Sequence, residues 1–264
     1  MKNYLVIGNP IEHSLSPKLH NHWIKKYDIN AIYEKKKLSD EDLKNLLLKI
    51  RNKEINGVNV TVPFKQKIIS YLDDLSTEAK DTQSVNTIFL RNKKIVGHNT
   101  DIFGFENAIR NIKFDVSNKK ILILGAGGVV PSIIYSLNKM NSHKIMVSNR
   151  TASKVENLKN LFKNIVTVEW GEIPDFDMVI NATSVGLKNT DEINLNFTKV
   201  GKEKIFYDVI YNPKLTNFLK IGMKLGNRIE NGKKMFIYQA AESFKIWHGI
   251  NPEINEEISS FLDL

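Results

Sequence analysis

The stretch KILILGAGGVV, Lys120 to Val130, runs five residues of strand-type sequence straight into a glycine-rich turn and then into an apolar helical pattern. A strand without polar alternation expects cover on both faces, which is the condition of a parallel sheet flanked by helices. A glycine-rich turn between such a strand and a helix lets backbone N–H groups approach a pyrophosphate at the positive helix end. The positions expected to hold a dinucleotide here are Gly125, Ala126, Gly127, Gly128 and Val129. The third small position of the usual GxGxxG pattern is Val130, so helix and strand are expected to shift apart there. Pro131 falls in the first helical turn, where a missing N–H is tolerated.

Outward from this turn the pattern repeats. Strands are expected at 144–148, 165–168, 178–181 and 205–208, spaced by helices such as Thr151 to Phe162. Buried strands alternating with helices imply a doubly wound parallel sheet. The end of its second strand selects the cofactor, because an acidic residue there would hold the 2′-hydroxyl of NAD. The chain instead reads SNRTASK, Ser148 to Lys154. Asn149 and Thr151 offer amide and hydroxyl groups and Arg150 and Lys154 offer positive charge, a set suited to a 2′-phosphate and hence to NADP.

The first hundred residues read differently, as short β-branched runs and helices with mixed strand directions. Ser16-Pro17 reads as an N-cap followed by a first-turn proline, and Ser39 with Asp42 as a capping box. Residues 87–90 and 94–96 read as a hairpin, and Asp101 opens a helix. Around NVTVPFK, Asn59 to Lys65, a strand expected at Val58 to Val62 sets Asn59 and Thr61 on one face and Val58, Val60 and Val62 on the other before the chain meets Pro63. Taken alone it is an edge strand with its polar face in water. The expected organisation is a mixed-sheet α/β substrate domain at 1–101, completed by C-terminal helices at about 240–264, and a Rossmann-like dinucleotide domain at 102–239.

The 264 residues suit about two domains. No cysteine is present, which excludes disulfides and thiolate metal ligands and fits a reducing cytoplasm. His20 and His22 face apart on their helix, and no metal is expected. No signal peptide or membrane span is expected. The net charge of +9 is spread over short lysine runs without interleaved aromatics, so it reads as a solvated surface attracting anionic small molecules and not as a nucleic-acid tract.

Several ordered motifs now stand together: SLSP at 14–17, NVTVPFK at 59–65, VNT at 85–87, NTD at 99–101, GAGG at 125–128, NRT at 149–151, NATSVG at 181–186, YDVIYNP at 207–213 and QAAESF at 239–244. Across nearly its full length the chain resembles the shikimate dehydrogenase family of aromatic amino-acid biosynthesis. The resemblance implies NADPH-dependent reduction of 3-dehydroshikimate to shikimate by a monomer or a homodimer, the homodimer preferred. It implies Ser14 and Ser16 on the substrate carboxylate with help from Tyr211, and Thr61, Asn86, Asp101 and Gln239 on the ring hydroxyls. It places Val209 and Gly232 by the nicotinamide, Thr183 and Ser184 near the cofactor's crossing point, and Lys65 as the proton donor paired with Asp101.

The chain departs from the family pattern at Ile102 and Gln83-Ser84, where glycine and Gly-Ala are usual, and at Lys233, where an apolar residue is usual. These departures bear on loop geometry and substrate range. The alternatives are a quinate/shikimate dehydrogenase with relaxed cofactor use, a non-catalytic dinucleotide sensor and a basic nucleic-acid-binding protein.

Overall fold

The computed structural model describes residues 1–188 and 190–263. In chain order its elements are β1 (Lys2–Gly8), α1 (Ser16–Lys26), β2 (Ala31–Lys37), α2 (Asp42–Arg51), β3 (Gly57–Val60), α3 (Phe64–Lys67), a 3-10 turn (Ile68–Tyr71), β4 (Asp74–Leu75), α4 (Thr77–Thr82), β5 (Thr87–Arg91), β6 (Lys94–His98) and α5 (Asp101–Asn111). They continue with β7 (Lys120–Leu124), α6 (Val130–Lys139), β8 (Lys144–Ser148), α7 (Ala152–Leu161), β9 (Ile165–Val168), β10 (Met178–Asn181), β11 (Ile205–Asp208), α8 (Asn217–Lys224), β12 (Arg228–Glu230), α9 (Lys233–His248) and α10 (Glu256–Phe261). Two compact units result: residues 1–104 with 237–264, and residues 105–236.

The first unit holds a mixed six-stranded sheet in the order β2-β1-β3-β5-β6-β4. β1 pairs parallel with β2 and β3, whereas β5 runs antiparallel to both β3 and β6. One face carries Leu5, Ile7, Val58, Val60, Ile88 and Ile95 against Leu43, Leu46, Leu47 and Ile50 of α2. That spacing of i, i+3, i+4 and i+7 makes a single apolar stripe on the helix. The other face is aromatic: Trp247 of α9 packs on Tyr4, while His20 of α1 stacks on Tyr33.

Three expectations are corrected here. β3 stops at Val60, and as an inner strand it has no solvent face; Asn59 is buried and Val62 is exposed. Ser16 does not cap α1, because the helix begins at Ser16 itself with Leu15 in the cap position, and Ser16 N–H instead donates to Ser14 Oγ at 3.3 Å. Only half of the Ser39 box forms: the Asp42 carboxylate accepts from Ser39 N–H at 2.7 Å, but the Ser39 hydroxyl also donates to that carboxylate at 2.8 Å and caps no helix N–H.

The second unit has the order β12-β11-β10-β7-β8-β9 with every neighbouring pair parallel. This is the doubly wound arrangement, with its switch point between β7 and β10. Apolar clusters cover both faces, one around Ile121, Ile123, Ile133 and Ile180, the other around Leu122, Val179, Phe206 and Phe218. Val130 is fully buried in the first cluster at the start of α6, so the larger side chain is absorbed as core. No helix among the described residues is long and apolar enough to cross a membrane.

Candidate functional site

Strand direction gathers the first unit's polar residues at one end of its sheet. β1, β3 and β6 point one way and β5 the other. The segments after β1 (Ser14, Ser16), after β3 (Thr61, Lys65), before β5 (Asn86) and after β6 (Asp101) therefore emerge at the same end. The Thr61 N–H donates to Ile7 O at 2.9 Å and the Val85 N–H to Lys65 O at 2.9 Å, which stitches these segments together.

At their centre the Lys65 ammonium lies 2.5 Å from Asp101 Oδ2. Both side chains are largely buried, at 11% and 8% exposure, so the pair is shielded from the screening that makes surface ion pairs weak. Asp101 Oδ1 accepts from Asn86 Nδ2 at 2.9 Å. The Asp101 N–H is held by Asn99 Oδ1 at 3.1 Å, and the carboxylate opens α5, where the helix dipole favours negative charge. Asn86 Nδ2 also faces Gln239 Oε1 at 3.4 Å. Lys65, Asp101, Asn86 and Gln239 thus form one contiguous set.

Ser14, on the loop after β1, and Ser16, the first residue of α1, stand two positions apart. The bond from Ser16 N–H uses Ser14 Oγ as acceptor and does not consume its hydroxyl proton. A buried ammonium held by a carboxylate, with hydroxyl and amide groups at the same end of the sheet, can bind a polyhydroxylated acid and move a proton at Nζ. Among the described residues no group of three or more His, Asp or Glu side chains is placed to hold a metal ion.

Tyr211 belongs to the second unit, where the loops after β7, β8, β10, β11 and β12 all leave the carboxyl end of a parallel sheet. Gly125 has φ of +110°, and a β-carbon there would come within 2.9 Å of Ala182 O, so glycine is required twice over. At Gly127 the nearest atom to such a carbon is 3.8 Å away, leaving the backbone open to a ligand. A β-carbon on Gly232 would collide with the Val209 carbonyl, and Gly232 N–H donates to Ile210 O at 3.1 Å. Tyr211 stacks on Phe236 with ring centroids 4.5 Å apart.

After β8, Asn149 Nδ2 donates to Thr151 O at 2.9 Å and shapes the turn, so its amide serves the backbone. Arg150, Thr151 and Lys154 are exposed. The glycine cradle at the switch point, the α6 N-terminus without a first-turn acid, and two exposed cations after the second strand fit a phosphorylated dinucleotide.

A network absent from the expected site lies next to it. Asp208, fully buried at the end of β11, accepts from Asn181 Nδ2 at 3.1 Å, Ile210 N–H at 3.0 Å and Thr216 Oγ1 at 2.6 Å. Asn181 Oδ1 in turn accepts from the N–H and hydroxyl of Thr183, at 3.1 Å and 2.7 Å. Burial raises the Asp208 pKa to about 6 against the opposing pull of these donors. The sequence signal was an acid in an otherwise apolar strand end, IFYD.

Fold and site together define an α/β dehydrogenase-type protein, a dinucleotide-binding sheet joined to a unit bearing a buried lysine–carboxylate pair. Family models for the shikimate dehydrogenase substrate binding domain, shikimate/quinate 5-dehydrogenase and the shikimate 5′-dehydrogenase C-terminal domain match residues 6–88, 106–208 and 234–256. The chain is 57% identical over 263 residues to the shikimate dehydrogenase (NADP(+)) of Pelagibacter ubique, covering 100% of this chain and 99% of that one. It matches the crystal structure of shikimate dehydrogenase from Aquifex aeolicus with a TM-score of 0.92 at 35% identity, covering 100% and 97% of the two chains. A Thermus thermophilus shikimate 5-dehydrogenase, crystallised with NADP(H) and shikimate, matches with a TM-score of 0.89 at 28% identity, covering 100% and 98%. The chain belongs to the shikimate dehydrogenase family.

Proposed function

We propose that this chain catalyses the reversible NADP-dependent reduction of 3-dehydroshikimate to shikimate, with Lys65 as the group that moves the proton. The observation that carries this reading is the buried Lys65–Asp101 pair, joined through Asn86 to Gln239, in a chain of this family. NADP(H), when bound, supplies or takes up the hydride. Gly125 to Val129 would receive the pyrophosphate, Arg150, Thr151 and Lys154 the 2′-phosphate, Val209 and Gly232 the nicotinamide, and Thr183 and Ser184 the point where the cofactor crosses.

As negative charge develops on the substrate carbonyl oxygen, the Lys65 ammonium gives it a proton, and in the reverse direction neutral Nζ takes the proton back. A positioned acid of this kind contributes a factor of about 10² to 10⁴ in rate. Asp101 holds Nζ at a fixed point and accepts from Asn86, so the amine does not wander among its rotamers. Ser14 and Ser16 bind the carboxylate, while Thr61, Asn86, Asp101 and Gln239 fix the ring hydroxyls.

The test is absorbance at the reduced-nicotinamide band with shikimate, offering NADP and NAD in parallel, then quinate in place of shikimate. Turnover of shikimate with a clear kcat/KM preference for NADP is expected. Efficient quinate oxidation with NAD would instead favour the relaxed-cofactor reading, against which stands the lack of any carboxylate in Ser148 to Lys154. No turnover at all would leave a dinucleotide sensor.

A further inference from the structure

Beneath Asn86 lies a layer of buried polar side chains that the reaction above does not touch: Asn59 on β3, Thr87 on β5, Thr100 ahead of α5 and Ser243 on α9. Polar groups are costly to bury unless each finds a partner, and here each does. Asn59 Oδ1 accepts from the Tyr33 hydroxyl at 2.7 Å. Its Nδ2 faces the main-chain oxygen of Asn86 at 3.1 Å, Thr87 Oγ1 at 3.1 Å and Ser243 Oγ at 3.0 Å. Thr87 Oγ1 donates to Asn86 Oδ1 at 3.0 Å and lies 2.8 Å from Ser243 Oγ. Ser243 also donates to the main-chain oxygen of Gln239 at 3.1 Å, one turn back on the same helix.

This layer dictates which way the Asn86 amide points. A backbone N–H can only donate, so the Thr100 N–H at 2.8 Å requires the Asn86 oxygen on that side. The Thr87 hydroxyl adds a second donor to the same oxygen. The Asn86 nitrogen is thereby turned to Asp101 Oδ1. We infer that Asn59, Thr87 and Ser243 are positioning residues for the proposed reaction: they lock the rotation of the Asn86 amide and, through it, the Asp101 carboxylate that holds Lys65. The inference rests on that functional reading. An apolar layer of the same shape would fill the space with little or no loss of stability, so filling space does not account for four interlocked polar groups.

The test pairs two substitutions at one position and measures kcat, both KM values and the melting temperature. Thr87→Val keeps the shape and removes the hydroxyl; Thr87→Ser keeps the hydroxyl and removes a methyl group. Thr87→Val is expected to lower kcat about tenfold with KM for NADP unchanged and melting within a few degrees of wild type, since small misplacements of catalytic groups cost large factors. Thr87→Ser is expected to stay within about twofold of wild type, and Ser243→Ala to move with Thr87→Val, by the same reasoning. A Val variant with wild-type kcat overturns the inference, as do Val and Ser variants that lose kcat in step with melting temperature, the mark of a packing role. Should Thr87→Val fail to fold, Ser243→Ala and Asn59→Asp are judged by the same criteria. A wild-type protein that does not oxidise shikimate sinks the functional reading itself, and this inference falls with it.

Discussion

The ammonium of Lys65 and the carboxylate of Asp101 meet inside the first unit at 2.5 Å, each almost removed from water. Neither is isolated: Asp101 has Asn86 on its second oxygen and a helix start beneath it. Removing the ammonium therefore leaves a carboxylate that still has a donor. Lys65→Met keeps the apolar stem and removes the proton. We expect kcat to fall by about 10² to 10⁴ with a far smaller change in KM for shikimate, read from initial rates. A Lys65→Met enzyme within threefold of wild type, a bound set roughly by that catalytic range, would contradict the assigned role.

Cofactor preference is expected to sit on two exposed cations. Hydrogen bonds to charged groups contribute about 1.5 to 3 kcal/mol each, less where solvent screens them. Arg150→Ala with Lys154→Ala should therefore raise KM for NADP by roughly tenfold to a hundredfold while leaving KM for NAD nearly unchanged. The wild-type preference should also narrow as salt is raised. Equal losses with both cofactors would move the 2′-phosphate contact elsewhere.

Much of this fold was legible because buried parallel strands advertise themselves. β7 to β11 fall where continuous apolar runs meet turn residues, but the expected helical spacing holds only from β7 to β9, since β9, β10 and β11 follow one another with no helix between them among the described residues. β4 and β12 did not, since two or three residues such as Arg228–Glu230 carry too short a pattern to read. The polar face of β3 was visible, but alternation says only which residues share a face and not what covers it. Asn59 faces a serine 184 positions away in sequence, and no local pattern reports such a partner. The Ser16 cap failed for a related reason: a serine before proline suits an N-cap, yet here the helix already starts at Ser16, with Leu15 in the cap position and Ser14 Oγ accepting from the Ser16 N–H.

Two glycines of one turn should respond differently. Gly125→Ala forces a left-handed residue against the Ala182 carbonyl and is expected to lower the melting temperature and the yield of folded protein. At Gly127 an alanine has space within the protein, so stability should hold. The added methyl group would stand where the cofactor backbone approaches, so KM for NADP should rise with little change in melting. A Gly127→Ala variant unchanged in both would place the pyrophosphate away from this turn.

Asp208 is expected to lower stability at neutral pH. Its folded pKa, raised to about 6 by burial, exceeds the usual value near 3.8, so the folded state holds its proton longer than the unfolded state. The penalty is absent below the unfolded pKa and grows as pH rises through about 6, reaching roughly 3 kcal/mol at most. Asp208→Asn keeps an acceptor for Ile210 N–H and removes the charge. Urea midpoints should rise for the variant at pH 8 and coincide with wild type near pH 4; a variant weaker at both would mean that the ionised carboxylate is worth more to its three donors than its burial costs.

His20 should make the first unit acid-labile. Its ring stacks on Tyr33 at 4.2 Å, is 1% exposed, and has no hydrogen-bond partner on either nitrogen among the described residues. Burial, with a smaller contribution from His248, holds its pKa down to about 3, and burial followed by Lys2 holds His248 down to about 4. Both folded values lie below the ordinary value of 6.5, so on acidification protons bind the unfolded chain first. Stability is therefore whole above about pH 6.5 and is lost as pH falls below it, by about 1.4 kcal/mol per unit from His20 alone. His20→Phe, which keeps an aromatic ring on Tyr33, should flatten the pH dependence of the urea midpoint between pH 6.5 and 4, followed by the fluorescence of Trp23, which lies 5.7 Å from His20. An unchanged slope in that variant would assign the acid sensitivity to other groups.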